Sequence, residues 1–415
     1  MTIEPYTCGV GDRFGQQGRA QLEAILLARQ EGINVYPVWN KSNREHALIG
    51  SRPEDVRVEA EVAVKALNWT GAFYVDADHI NLTTVESFVQ ASDFFTVDVA
   101  DFVGQSPDAP MVEGLVKAAR TFPHELSIPG IDRSFIIDEA AVRTAGSKFL
   151  PAIREAGRIY RRIAELKGPD NFITEISVDE TDRPQNPVEL FLILLMIREE
   201  SIPVQTIAPK FTGRFNKGID YAGDLSQFEK EFDEDLAVIR FAVREFGLPE
   251  TLKLSVHSGS DKFSLYPIIN RSIKKHNAGL HVKTAGTTWL EELVGLAEAG
   301  GEPLEIAKEI YTTAFNRFDE LKAPYAPVID IDPSKLPDPK AVGLWGAEKY
   351  VNTLRHVESS PEYNPHFRQL IHIAFRVAAE MGDRFLEVVK VNETTVARNV
   401  TENLWDRHIR PIFGW

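Results

Sequence analysis

The stretch Phe172-Ile-Thr-Glu-Ile-Ser-Val-Asp-Glu-Thr-Asp182 reads as a β-strand with an unusual face. Glu175, Ser177 and Asp179 recur with period two, alternating with Ile176 and Val178. That is the side-chain period of a strand. A buried strand rarely spends three successive same-face positions on polar groups, because each costs several kcal/mol when left without a partner. The face is therefore solvated, or it lines a polar site. In a closed α/β barrel the inward face at the C-terminal end of such a strand is where the site lies.

Other short runs repeat the pattern. Tyr74-Val-Asp-Ala-Asp-His-Ile80 ends an apolar strand on Asp76, Asp78 and His79, and Thr96-Val-Asp-Val-Ala-Asp101 repeats the theme with Asp98 and Asp101. Strands are expected at 35–39, 72–76, 94–99, 172–178, 203–208, 252–257, 280–283 and 327–331, with a further short one at 6–10. Helical patterns fill most gaps. The clearest is 224–246, where Leu225, Phe228, Phe232, Leu236, Ile239 and Val243 form a three-four stripe. Strand–helix alternation predicts an α/β fold with a mainly parallel sheet. A (β/α)8 TIM-like barrel with insertions is preferred to an open doubly wound sheet, because ionisable residues recur at strand ends that only a barrel brings to one mouth. Asp332–Val342, rich in Pro, Asp and Lys, reads as a linker. The expected organisation is a barrel over residues 1–331 and a C-terminal helical extension over 332–415 packed on it.

Composition narrows the function without naming it. The 415 residues carry a formal charge of −15. That argues against a nucleic-acid footprint and against long-range attraction to an anionic membrane. The one cysteine, Cys8, cannot form an internal disulfide, which fits a reducing cytoplasm. Met1–Gly11 has neither a basic nor an apolar segment of a secretory signal. The longest apolar run, Leu190–Ile197, is far too short to span a bilayer. An anionic substrate would be repelled at long range, so cations must be concentrated at its site.

Several further segments bear on chemistry. Gly9-Val-Gly-Asp-Arg-Phe-Gly15 approaches a dinucleotide fingerprint, but Phe14 stands where the third glycine is needed, so no NAD is expected. Its backbone amides and Arg13 could still meet an anion; the plain alternative is a tight turn with a surface arginine. Leu252–Lys262 ends a strand on His257 and enters a Ser-Gly-Ser loop, while His281 and Lys283 share a strand face in Leu280–Lys283. One carboxylate and two histidines, as in Glu175, His257 and His281, suit a catalytic divalent ion with open positions, although lone strand histidines are more often hydrogen-bonded core residues. Lys210, Arg214, Lys217, Lys262 and Lys283 are the nearby cations. Each could equally be a solvated surface charge.

The segments GVGDRFG (9–15), VDADHI (75–80), EISVDETD (175–182), KGIDYAGD (217–224), VHSGSDKFSLY (256–266), LHVKTAGT (280–287) and RQLIH (368–372) together resemble the tagaturonate epimerases, also described as tagaturonate/fructuronate epimerases, with tagatose 4-epimerases as relatives. The resemblance runs in one order over nearly the whole chain. It implies a metal-dependent α/β-barrel isomerase inverting C4 of a 2-keto hexuronate, with one divalent ion (Zn, Mn, Ni or Co) held by Glu175, His257 and His281. Asp78, His79 and Asp179 are the expected acid/base groups, and Arg13, Lys210 and Lys283 the expected holders of substrate. The expected partner is a keto-hexuronate or neutral ketohexose, with no nucleic acid and no membrane; a homo-oligomer is also allowed. Two other classes compete: a Schiff-base aldolase or isomerase using Lys210 or Lys283, and a sugar-acid binding protein without catalysis.

Overall fold

The computed structural model describes residues 1–179, 181, 183–284 and 286–414, so Glu180, Asp182 and Ala285 of the quoted motifs lie outside the described residues. Eight parallel strands close into a barrel in chain order: β1 (Tyr6–Val10), β2 (Tyr36–Ser42), β3 (Tyr74–Ile80), β4 (Phe94–Asp98), β5 (Ile173–Ser177), β6 (Thr206–Ala208), β7 (Lys253–His257) and β8 (Leu280–Lys283). β1 pairs with β8 and completes the closure. The short N-terminal run is thus a barrel strand, whereas the strand expected at 327–331 does not form. Ala323–Val328 is a 3-10 segment instead, because Pro324 and Pro327 lack the N–H groups a ladder needs.

Helices lie outside the barrel. Helix Leu225–Phe246 starts on Asp224, whose carboxylate accepts the Ser226 and Gln227 N–H groups, and stops at Gly247 in the left-handed region. The apolar run Leu190–Ile197 falls in helix Pro187–Glu199, which packs against Leu225–Phe246 and against the 29-residue helix Glu139–Lys167. Covered on all sides, it is apolar all round. The long β4–β5 connection also carries a hairpin, Glu125–Ser127 with Ser134–Ile136.

The main apolar core fills the shell between strands and helices. A second core joins helix Gly286–Ala299 to the C-terminal helices through Trp289, Leu293, Tyr311, Tyr350, Phe367 and Phe385. Ile329, Ile331 and Val342 share this second core. Inside the barrel the bottom layer is apolar: Ile3, Val38, Tyr74, Phe94 and Ile173. Above it the inward positions are polar or ionisable, and they form the site. Among the described residues no helix is long and apolar enough to cross a membrane.

Candidate active site

Register explains which side chains meet. Asp76 and Asp78 share the inward face of β3 with Tyr74. Thr96 stands opposite Glu175 across the β4–β5 ladder, and Lys283 stands opposite His257 across β7–β8. Lys283 Nζ lies 2.7 Å from Asp76 Oδ2, 2.8 Å from Asp78 Oδ1 and 3.0 Å from Glu175 Oε1, and it also touches Thr96 Oγ1. Thr96 donates to Asp76 and Glu175. One ammonium thus bridges three buried carboxylates. Burial opposes its charge, but the carboxylates outweigh burial and raise the Lys283 pKa well above the ordinary lysine value. An amine held this firmly protonated is a poor Schiff-base nucleophile.

His79 reaches the same mouth by a backbone irregularity. The β3–β4 register shifts between Ala77 and Ile80, and His79 has φ +56°. Strict alternation puts His79 on the face opposite Asp78; the bulge re-aims it. Its Nδ1 lies 2.8 Å from Asp78 Oδ1, and its ring centroid lies 5.4 Å from that of His257. His257 Nε2 lies 2.8 Å from Glu175 Oε1 and Nδ1 lies 3.1 Å from Asp179 Oδ2. Ser177 Oγ donates to the other oxygen of Asp179.

The electrostatics describe a carboxylate-rich pocket that demands cations. Burial alone would raise every acid here. Lys283 and His79 instead hold Asp78 well below the usual carboxylate range, and Lys283 and His257 do the same for Glu175. Asp179 is lowered by His257 against the same burial. Asp76 is the exception: burial, reinforced by Asp78 and Glu175, pushes it up to about 7 despite Lys283. Burial disfavours the imidazolium of both histidines, yet Asp78 raises His79 to about 10, and Asp179 with Glu175 raises His257 to about 9.

The histidine–carboxylate set that converges is His79, Asp179 and His257, whose ligand atoms all lie within 4.8 Å of one another. Among the described residues Glu175, His257 and His281 do not form such a set. The reason is register. His281 stands opposite Ser255, one inward layer below the Lys283–His257 level. There its Nδ1 meets Thr7 Oγ1 at 2.8 Å, its ring lies against Phe94, and burial pushes its pKa down to about 3.

The expected substrate cations separate in space. Lys283 is committed to carboxylates. Lys210 Nζ lies 3.4 Å from the Asp179 carbonyl. Arg13 lies over the Phe375 ring, with Nε 3.3 Å from Glu45 and Nη1 3.4 Å from the His372 carbonyl. The glycine loop does not offer its amides outward: Asp12 accepts the N–H groups of Phe14, Gly15, Gln16 and Gln17. Thr96 is the site residue that sequence reasoning missed; its shared parity with Phe94 was the available signal. Asp98, which had been noted there, is spent on the Ala100 N–H.

A catalytic divalent ion fits the converging set. Two imidazoles and a carboxylate are ligands for such ions, with room for substrate. Each imidazole also has a nitrogen bonded to a carboxylate, Asp78 for His79 and Glu175 for His257, the arrangement that orients histidine ligands.

The tagaturonate epimerase (UxaE) family pattern matches residues 1–411. A tagaturonate/fructuronate epimerase of Thermotoga maritima is 29% identical over 430 residues, covering 98% of this chain and 80% of the relative. The crystal structure of a fructuronate-tagaturonate epimerase from Cohnella laeviribosi with one glycerol superposes with a TM-score of 0.82 at 23% identity, over 99% of this chain and 82% of that one. Its native form gives 0.78 over the same shares at the same 23% identity. With the family pattern spanning nearly its whole length, this chain belongs to the tagaturonate epimerase family, a family of isomerases.

Proposed function

We propose that the protein interconverts tagaturonate and fructuronate by inverting C4, with a divalent ion held by His79, Asp179 and His257. The convergence of those three side chains at the barrel mouth carries the reading. The single cysteine is buried and unpaired, which suits a reducing cytoplasm.

The chemistry follows from the substrate. The C4–H of a 2-ketose is β to the carbonyl and is not acidic, so direct deprotonation there is excluded. The C4 hydroxyl makes the substrate a β-hydroxy ketone. Removing the hydroxyl proton lets C3–C4 break, its electron pair passing to an enediolate over C2 and C3 while C4 becomes an aldehyde. Rotation of the aldehyde, re-formation of C3–C4 and return of the proton give the opposite configuration. A divalent ion supplies Lewis-acid stabilisation of the developing enediolate charge.

The chain's own groups do the rest. Asp78, the more accessible acid of its strand end, takes the C4 hydroxyl proton. Lys283 and His79 stabilise Asp78 as an anion before substrate arrives and hold it in place. Asp76, raised to about 7, lies one layer below and is bridged to Asp78 by the Lys283 ammonium. Lys210, on the loop after β6, reaches the Asp179 carbonyl beside the proposed metal ligands and would donate to the aldehyde oxygen formed at C4. Incubating metal-loaded protein with tagaturonate tests the proposal: fructuronate must form, and bound metal without epimer would overturn it.

A further inference from the structure

One group of buried acids has no part in the chemistry above, and it surrounds the loop between β1 and helix Gly18–Gln30. Asp12, 3% exposed, accepts the N–H groups of Phe14, Gly15, Gln16 and Gln17, so backbone donors occupy both of its oxygens. Two glutamates reach this loop from neighbouring elements. Glu59 stands on helix Pro53–Ala66 in the β2–β3 connection, and Glu292 on helix Gly286–Ala299 after β8. β2 and β8 are the strands that flank β1 in the barrel. Glu59 runs along the loop: a Cβ on Gly18 would lie 2.7 Å from its Cγ and 2.9 Å from its Oε1. Glu292 meets the loop at Gln17.

Neither glutamate has the partners that an anion needs. Glu292 is 0% exposed, and neither of its oxygens has a hydrogen-bond partner. Glu59 Oε1 is buried and likewise without one. The Gln17 amide, 1% exposed, lies beside Glu292 without a well-formed hydrogen bond through either atom. The nearby cations are engaged elsewhere: Lys41 Nζ donates to the Arg13 carbonyl, and Arg13 is paired with Glu45. Among the described residues the one converging set of three histidine or carboxylate ligands is His79, Asp179 and His257, so these acids are not gathered around a shared metal ion. A carboxylate buried without donor or counter-ion takes up a proton instead. Burial and then Asp12 raise Glu59, against Lys41 and the Gly18 N–H. Burial, Asp12 and Glu59 raise Glu292, against Gln17 and Arg13. Both acids are held well above the ordinary carboxyl value. A protonated Glu59 also turns its contact with Asp12 from a repulsion into a hydrogen bond, with Glu59 donating.

We infer that Glu59 and Glu292 stay neutral carboxylic acids in the folded protein and act as a proton-held latch on residues 11–17, one that rising pH opens. Loss of the two protons sets two new negative charges against Asp12 and drives the loop away from helices Pro53–Ala66 and Gly286–Ala299. The loop carries Arg13, which lies over Phe375 and donates to the His372 carbonyl. Opening the latch therefore loosens a tie between the barrel and the C-terminal helices. The latch is independent of the proposed reaction. Its sign follows from linkage. Each acid binds its proton more tightly in the folded protein than in the unfolded chain. The stability it contributes is full below the unfolded glutamate value of about 4.3 and declines as pH rises above it.

The test uses the full-length protein with Glu59→Gln, Glu292→Gln and the double variant, since glutamine keeps the shape and cannot ionise. Difference infrared spectra at about pH 7 should show one carboxylic-acid C=O band lost in each single variant. Hydrogen exchange of residues 9–20, corrected for the intrinsic rate, should speed up at least about tenfold between about pH 6 and pH 8 in the native protein. In the double variant the corrected rate should change less than about threefold. Each single variant gives the same readouts, so poor folding of one leaves the other decisive. Spectra with no carboxylic-acid band lost, or the same pH dependence of exchange in native protein and double variant, would overturn the inference. So would a thermal midpoint raised by added Ca2+ or K+ in the native protein but not in the double variant, which would make the pair a cation site.

Discussion

Lys283 carries the charge balance of the site, since its ammonium bridges Asp76, Asp78 and Glu175 at 2.7–3.0 Å. Removing one partner of a buried ionic cluster leaves the others uncompensated. Lys283→Met should therefore cost roughly 3–5 kcal/mol of stability as well as activity; urea unfolding checks this, and a loss below about 1 kcal/mol would contradict it. Metal titration by calorimetry separates the two ligand sets. Asp179→Asn should abolish tight binding, whereas His281→Ala, which removes a ring bonded to Thr7, should leave it largely intact. Asp78→Asn and Glu175→Gln should each weaken metal affinity by about 10–100-fold, because these carboxylates orient His79 and His257. Most of these residues were legible from the sequence, because ionisable groups at strand ends stand out against apolar runs. Their roles were less so. Alternation placed His79 away from Asp78, and only the bulge at positive φ brings it back. A strand pattern also does not report which inward layer a residue occupies, so His281 and His257 looked equivalent until the β7–β8 register separated them.

At the scale of elements, the barrel strands followed from period-two runs, and the β1 and 327–331 assignments show what decides such cases. Tyr6–Val10 is short but free of proline, while the 323–328 segment holds two prolines and turns instead of pairing. Helix starts were equally readable where a capping side chain precedes the apolar stripe, as at Asp224. Helix partners were not, because a stripe reports that a face is buried and not against what. Helix Gly286–Ala299 crosses Glu393–Glu402 at Gly295, where an added Cβ would lie 2.6 Å from Val396 Cα. That contact is backbone and cannot rotate away. Gly295→Ala should destabilise the protein by about 1–3 kcal/mol, read as a lowered thermal midpoint; an unchanged midpoint would show that the two helices can separate without cost.

Across the whole molecule, the helical layer is tied to the barrel by one fully buried acid. Asp261, on the loop after β7, meets Arg368 at 2.7 Å, His356 at 3.0 Å and His408 at 3.2 Å, and accepts from Thr287 at 2.9 Å. Burial opposes its charge, but Arg368, His356 and His408 outweigh it and hold the carboxyl well below its ordinary value. A depressed folded value means that this stabilisation is present above the unfolded pKa of about 3.9 and is lost as pH falls below it. Acid unfolding should therefore steepen below about pH 4 in the native protein. Asp261→Asn should be less stable at neutral pH and show a shallower acid limb. The same long-range ties explain why the Asp261 cluster could not be read in advance: Asp261, Arg368, His356 and His408 are far apart in the chain. Inversion at C4 is open to one direct measurement. Chelator-treated protein, with and without restored divalent metal, is incubated with tagaturonate in D2O and the product is followed by NMR. Fructuronate that appears only with metal and retains protium at C4 is the predicted result, since retro-aldol cleavage never breaks the C4–H bond; deuterium at C4, or no fructuronate from metal-loaded protein, would contradict it.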